Sequence, residues 1–149
     1  MESLGTLGVK SIELYNCPMD VVTDTSAIVA VITNSPEKAA LADITQDAAL
    51  LAPMSVHWEI GNAFSSLLKR RRIDVGGVVK ALGAYEAIPI RFMDVELERA
   101  IRIAAELSIY AYDAYLIACA QQMRAPLLTL DRGLARSAQR VGVTVLEVT

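Results

Sequence analysis

Hydrophobic and polar positions form alternating blocks along the chain, which predict strands and helices in turn. A strand-like run at 20–23 ends in Asp24, and Ser26 then begins an apolar helix that its side chain can cap. The pattern changes again from strand-like to helix-like at Ser55 and at Asp94, which are candidate helix caps. The predicted strands are 20–23, 50–53, 88–93, 126–130 and 143–148, and the predicted helices are 26–31, 36–49, 55–72, 75–87, 95–107, 112–123 and 132–140. This alternation indicates βαβ units, so we expect an α/β protein with a mainly parallel sheet covered on both faces.

The first 18 residues do not share this pattern. They show no clear period, and Gly, Pro and Asn are scattered through them. We therefore expect 1–18 to be an N-terminal extension, poorly ordered or foreign to the native chain, with Met19 as a candidate natural start. The remaining residues, 19–149, have the usual length of a single compact domain.

The high apolar content raises the question of a membrane span. The mean hydropathy is +0.39, yet the longest stretch without a charge is the twelve residues 25–36. A helix needs about twenty apolar residues to cross a bilayer, so we expect no membrane span. Cys17 and Cys119 are isolated and lack zinc-ligand spacing, which favours reduced thiols and a cytoplasmic protein.

Charge is unevenly distributed along the chain. The net charge of −3 is not typical of a nucleic-acid-binding protein, but residues 1–60 carry −6 and residues 61–149 carry +3. Such a division permits an acidic cleft beside a basic rim. The candidate rim residues for contacts with RNA phosphates are Lys69, Arg70, Arg132 and Arg136. A solvated face explains Arg136 equally well, whereas Arg132 is the better candidate because it adjoins Asp131.

Four acidic residues occupy the ends of separate predicted elements. Asp24 and Asp131 follow strands, Glu59 lies in the first turns of a helix, and Asp113 interrupts an apolar run. Each could be a simple cap or a surface residue, but ligands of open α/β sheets bind beyond the carboxyl ends of the strands. Four carboxylates meeting there would repel one another unless a cation neutralised them. Oxygen ligands without His or Cys favour Mg²⁺ or Mn²⁺, and a phosphodiester is the matching substrate class.

Four segments in order resemble the successive motifs of PIN-domain ribonucleases, especially the VapC toxins of toxin–antitoxin modules. These segments are VVTDTSAIVAVI, SVHWEIGNAF, AYDAYLIACA and PLLTLDRGLARSAQRVGVTVL, and the match covers about 20–148. The resemblance implies a three-layer, Rossmann-like α/β/α fold and hydrolytic endonuclease cleavage of RNA in an acidic pocket that binds Mg²⁺ or Mn²⁺. An N-terminal arm before Met19 departs from the family pattern.

The resemblance also assigns roles to individual positions. Asp24, Glu59, Asp113 and Asp131 match the four family acids, which are both catalytic and metal-binding. Ser26 matches the residue that orients the first acid, and Thr129 and Asn62 are supporting residues. A VapB-like antitoxin and a homodimer are further implications.

Two other classes of function stay open at this point. A catalytically weak PIN-like module could serve mainly as a protein-binding scaffold. A phospho-acceptor receiver domain is remote, because it needs paired acids after the first strand and a Lys after the last motif strand, and neither is found at Asp24 or Asp131.

Overall fold

The computed structural model describes residues 17–149, which fold around one parallel sheet. Its five strands lie in the order β3-β2-β1-β4-β5, and every neighbouring pair is parallel. The strands are β1 Met19–Thr23, β2 Ala48–Pro53, β3 Ile90–Met93, β4 Leu127–Leu128 and β5 Val145–Leu146, and the helices are α1 Thr25–Ile32, α2 Lys38–Thr45, α3 Ser55–Lys69, α4 Val75–Glu86, α5 Leu97–Leu107, α6 Ala111–Met123 and α7 Arg132–Arg140. The predicted α/β class with a mainly parallel sheet is confirmed. Most of the predicted extension, residues 1–16, lies outside the described residues.

Helices cover both faces of the sheet, as the alternation of strand side chains requires. On one face, Val21 and Leu128 pack with Leu41 of α2 and with apolar residues of α1. On the other face, Val22 and Leu127 belong to the larger core, to which α3, α5 and α6 contribute. Successive strand residues point to opposite faces, so two adjacent valines of β1 supply two separate cores. This arrangement gives the three-layer α/β/α architecture.

Strand pairing corrects one predicted helix boundary. The helix predicted to reach residue 49 ends at Thr45, because Ala48 pairs with Met19 and Leu50 pairs with Val21. A residue whose backbone is hydrogen-bonded to a neighbouring strand cannot also continue a helix. The last two predicted strands are also shorter, at two residues each.

The capping predictions at three helix starts are wrong. Asp24, not Ser26, caps α1, since its carboxylate accepts a hydrogen bond from a backbone N–H of the first turn. Ser55 lies inside the first turn of α3, and its buried hydroxyl has no hydrogen-bond partner among the described residues. The residue that precedes α5 is Glu96, not Asp94, and its side chain makes no capping hydrogen bond.

The strand order reverses direction between β1 and β4. From β1 the chain adds β2 and then β3 on one side, whereas β4 and β5 are added on the other side. Crevices for ligands open at such a reversal, beyond the carboxyl ends of the two central strands. Asp24 follows β1 directly and Asp131 lies just beyond β4, so both flank this point.

Within residues 17–149, no single helix is long and apolar enough to cross a membrane. The pair α5 and α6 meets the length and composition requirements only when taken together, and the two helices are bent by 114°.

Candidate functional site

A cleft of about 530 Å³ opens at the carboxyl edge of the sheet, and all four predicted acids line it. The acids come from four different places: the end of β1, α3, α6 and the segment after β4. Glu37 joins them from the segment that precedes α2. Among the described residues, no Lys, Arg or His lines the cleft. The cleft therefore concentrates negative charge without a basic side chain in its wall.

Asp24 is the most deeply buried of these acids, with 4% of its surface exposed. Its carboxylate accepts hydrogen bonds from the Ala27 N–H at 3.0 Å, from the Ser26 hydroxyl at 2.8 Å and from the Thr129 hydroxyl at 2.5 Å. Burial raises the pKa of Asp24, the three donors act in the opposite direction, and the charge of Asp131 adds to the increase. The carboxylate is thus held rigidly but at an electrostatic cost.

Two hydroxyl groups join the ends of β1 and β4. Thr129 donates to Asp24 and accepts from the Asp131 N–H at 3.0 Å. Ser26 likewise donates to Asp24 and accepts from the Leu130 N–H at 2.9 Å. Each hydroxyl uses both its donor and its acceptor capacity, so together they fix the two central strand ends relative to each other.

The carboxylate of Asp131 caps α7. Its Oδ1 accepts from the Gly133 N–H at 2.7 Å and from the Leu134 N–H at 3.1 Å. A Cβ on Gly133 would lie 3.1 Å from that same oxygen, which is a tight contact. Capping and lining the cleft are therefore combined in one side chain.

Glu59 and Asp113 lie on helices and are half-buried. The Thr25 hydroxyl donates to Glu59 Oε2 at 3.0 Å. Burial raises the pKa of Glu59, with further increases from the charges of Asp24 and Asp113 and a decrease from the Thr25 hydrogen bond. Burial also raises the pKa of Asp113, followed by the charges of Asp131 and Asp24. The four carboxylates thus interact electrostatically, as their convergence requires.

Sequence reasoning missed three polar residues of the cleft, namely Thr25, Ser35 and Glu37. Thr25 lies between Asp24 and Ser26, and nothing in the sequence around it indicates a contact with Glu59. Glu37 follows a proline at a predicted helix start, a place where acidic residues are common for local reasons.

Other predicted residues lie outside the wall of the cleft. Asn62 is exposed on α3 and does not line it. Arg132 and Arg136 are exposed on α7, which begins beside the cleft. Lys69 and Arg70 lie at the far end of α3, about 15 Å along the helix axis from Glu59 at 1.5 Å per residue, and so do not border it.

The side chains of the cleft could serve as ligands of a hard divalent cation. Their carboxylate and hydroxyl groups offer oxygen atoms, the ligands that Mg²⁺ and Mn²⁺ prefer. Within the described residues, no group of three or more His, Cys, Asp or Glu side chains is arranged to hold a metal ion by itself. Mg²⁺ does not need such an enclosure, because it commonly keeps several waters and binds through one or two carboxylates and a substrate phosphate.

Comparison with known proteins gives a family match and two similar folds. The sequence matches the PIN domain family over residues 21–139. The crystal structure of PAE2754 from Pyrobaculum aerophilum superposes with a TM-score of 0.65 and 21% identity, over 80% of this chain and 86% of that one. VapBC2 from Rickettsia felis, solved bound to a DNA fragment from its promoter, gives a TM-score of 0.60 and 15% identity, over 87% of this chain and 98% of that one. No curated protein sequence matches the chain.

Proposed function

The chain belongs to the PIN domain family, and from this premise we propose that it is a Mg²⁺- or Mn²⁺-dependent endoribonuclease, the toxin of a VapBC-type toxin–antitoxin pair. PIN domains are generally nucleases. One observation carries the proposal: four carboxylates from four separate elements line one cleft at the reversal of strand order. A protein-binding scaffold has no need for this arrangement.

Electrostatics support a cation in the cleft. Burial, followed by mutual repulsion, raises the pKa values of Asp24, Glu59 and Asp113, so ionisation of these carboxylates costs more than in water and a counter-charge would offset that cost. No described residue of the cleft wall supplies that positive charge. A divalent cation would remove the repulsion, and Asp24, Glu59, Asp113 and Asp131 are the residues that would hold it.

A phosphodiester is the substrate that fits such a site. When bound, a divalent cation stabilises negative charge on phosphate oxygens and makes a coordinated water more acidic. The protein itself positions the carboxylates: Asp24 is fixed by its three donors, and Thr25 fixes Glu59. Hydrolysis then requires attack of water on phosphorus and departure of a ribose oxygen. Preorganised carboxylates avoid reorganisation at that moment.

The partners follow from the same proposal. We expect a VapB-like antitoxin, a homodimer and a cytoplasmic location, with residues 19–149 as the single PIN domain. The similarity in fold to VapBC2 from Rickettsia felis supports the antitoxin. Arg132, the first residue of α7, and Arg136, one turn further along the helix, are exposed, and we expect them to meet RNA phosphates.

A cleavage assay with matched variants tests the function. Asp113→Asn removes one charge from the cleft, whereas Asp43→Asn makes the same change on the exposed surface of α2. With Mg²⁺ and RNA, we expect the wild type and Asp43→Asn to cleave equally and Asp113→Asn to be at least about 100-fold slower. Chelation of the metal should stop cleavage by all three. Equal activity of Asp113→Asn and the wild type would refute the assignment, and failure of the wild type to bind Mn²⁺ in calorimetry would favour a scaffold.

A further inference from the structure

Three aromatic side chains are largely exposed in the described part of the chain: Trp58, Tyr110 and Tyr112, at 66%, 89% and 53%. Each of them lies within three residues of a carboxylate of the cleft. Trp58 precedes Glu59 directly, and Tyr112 precedes Asp113 directly. Exposed aromatic surface is unfavourable in water, so its concentration beside these two acids calls for an explanation.

The Trp58 ring is held in place by contacts that lead to the core. It meets the His57 ring edge to face, with centroids 4.9 Å apart and planes at 74°. His57 Nδ1 in turn lies 3.0 Å from the hydroxyl of Tyr85, and Tyr85 is buried in the main core. These contacts restrict the motion of the indole while about two thirds of the residue stays exposed.

Tyr112 is held in a similar way on α6. Its ring meets that of Tyr115 with centroids 6.0 Å apart and planes at 86°. Tyr115 is half-buried and packs against the main core. An exposed ring with such a support loses little conformational freedom when a flat ligand stacks on it.

We propose that Trp58 and Tyr112 are nucleobase-stacking residues, which bind two bases of a single-stranded RNA next to the acidic cleft. This inference rests on the proposed function. Stacking on aromatic side chains requires unpaired bases, and every base has a face that can stack. The two rings lie on the two helices that supply Glu59 and Asp113, whose charges interact, but neither ring lines the cleft itself. The two stacking positions would therefore lie outside the cleft wall, next to the residues that carry these carboxylates. Each ring is supported separately, as suits individual bases more than a continuous protein surface.

Tryptophan fluorescence provides a direct test, because Trp58 is the only tryptophan of the chain. The titration uses the Asp113→Asn variant, so that the RNA stays intact, with three probes of equal length: a single-stranded RNA, an RNA duplex and an abasic phosphodiester strand. We expect the single strand to quench the emission of Trp58, and the duplex and the abasic strand to leave it nearly unchanged. Equal quenching by the abasic strand would overturn the proposal, because it would show contact with the backbone alone.

Substitutions give the second test, with binding of a labelled single-stranded RNA as the measurement. We expect Trp58→Ala and Tyr112→Ala each to weaken binding roughly tenfold, the effect of one lost stacking contact. Trp58→Phe keeps an aromatic face and should recover most of the affinity. Ile101→Ala is the matched control, because Ile101 is a half-exposed apolar residue on α5 that does not adjoin a carboxylate of the cleft.

The outcomes separate this inference from the function on which it rests. If the wild type cleaves RNA but both alanine variants bind RNA like Ile101→Ala, stacking is refuted and the ribonuclease stands. If the alanine variants instead change only the sedimentation of the protein, the rings belong to a contact between proteins and the proposal fails. A wild type that neither binds nor cleaves RNA refutes the proposed function itself.

Discussion

Removal of the Thr129 hydroxyl should destabilise the protein in a way that depends on pH. The hydroxyl donates to the buried carboxylate of Asp24 and accepts from the Asp131 N–H. Thr129→Val keeps the shape of the side chain and deletes both interactions. The hydrogen bond to the charged Asp24 contributes about 2 kcal/mol and the neutral one from the Asp131 N–H about 1 kcal/mol, so the free energy of unfolding should fall by about 3 kcal/mol at neutral pH. For a chain of this length, that loss corresponds to a decrease in Tm of about 9 °C.

The sign of the pH dependence follows from the charge of Asp24. The Thr129 hydrogen bond favours the ionised carboxylate and therefore lowers the pKa of Asp24 relative to the effect of burial alone. Loss of the bond in Thr129→Val raises the pKa of Asp24 further. The share of the cost that comes from this bond is thus fully present above the pKa of Asp24 in the variant and is lost as the pH falls through the wild-type pKa, whereas the share from the Asp131 N–H does not change with pH.

Urea denaturation of the metal-free protein at a series of pH values measures this cost. Thr23→Val is the matched control: Thr23 is similarly buried, but among residues 17–149 its hydroxyl makes only one weak contact, 3.5 Å from a backbone oxygen. We expect the control to cost less than about 1 kcal/mol and to show no pH dependence. The reasoning is refuted if Thr129→Val costs no more than Thr23→Val, or if its cost is the same at acidic and neutral pH.

Three further predictions concern neighbouring groups. Thr25→Val should raise the pKa of Glu59 further, because the hydroxyl lowers it, so Mn²⁺ binding measured by calorimetry should begin at a higher pH than in the wild type; an unchanged profile would contradict this. Asp113→Asn should increase the Tm of the metal-free protein at neutral pH. The pKa of Asp113 is raised in the folded protein, so its ionised form, which predominates above that pKa, destabilises the fold, and the neutral Asn side chain removes this cost; in acid, where Asp113 is protonated, the gain should vanish. An alkylating reagent should modify exposed Cys17 but not buried Cys119, whose pKa is raised to about 11, until the protein is unfolded; equal labelling in mass spectra would disprove this.

The sequence predicts the succession of strands and helices well because the hydrophobic pattern is local. Boundaries are predicted less well where a distant strand decides them. Residues 48 and 49 continue an apolar helical pattern, yet they join the sheet because Met19 and Asp20 lie beside them. The predicted strands 126–130 and 143–148 extend beyond β4 and β5 at both ends, because these segments are apolar enough for longer strands, but only two residues of each pair with a neighbouring strand.

The positions of the four acids could be predicted, whereas their contacts could not. Asp24 and Asp131 follow strands, and parallel strands end at a common edge, so their proximity follows from the fold class. The hydrogen bond from Thr25 to Glu59 depends instead on how α1 is oriented relative to α3, which no local pattern determines. Helix length likewise decides that Lys69 lies away from the cleft, because α3 extends ten residues beyond Glu59 to reach it.

The contact between Asp24 and Thr129 joins residues 105 positions apart, and this separation constrains when the cleft can form. A chain is synthesised from its N-terminus, and distant contacts close only after the intervening segment exists. A nascent chain that ends before β4 holds Asp24, Glu59 and Asp113 but lacks Asp131 and Thr129, and with Thr129 the bond that it donates to Asp24 and the bond that it accepts from the Asp131 N–H. For a protein proposed to cut RNA, the ribosome and its message are therefore exposed to a complete site only after β4, Thr129 and Asp131 have been synthesised.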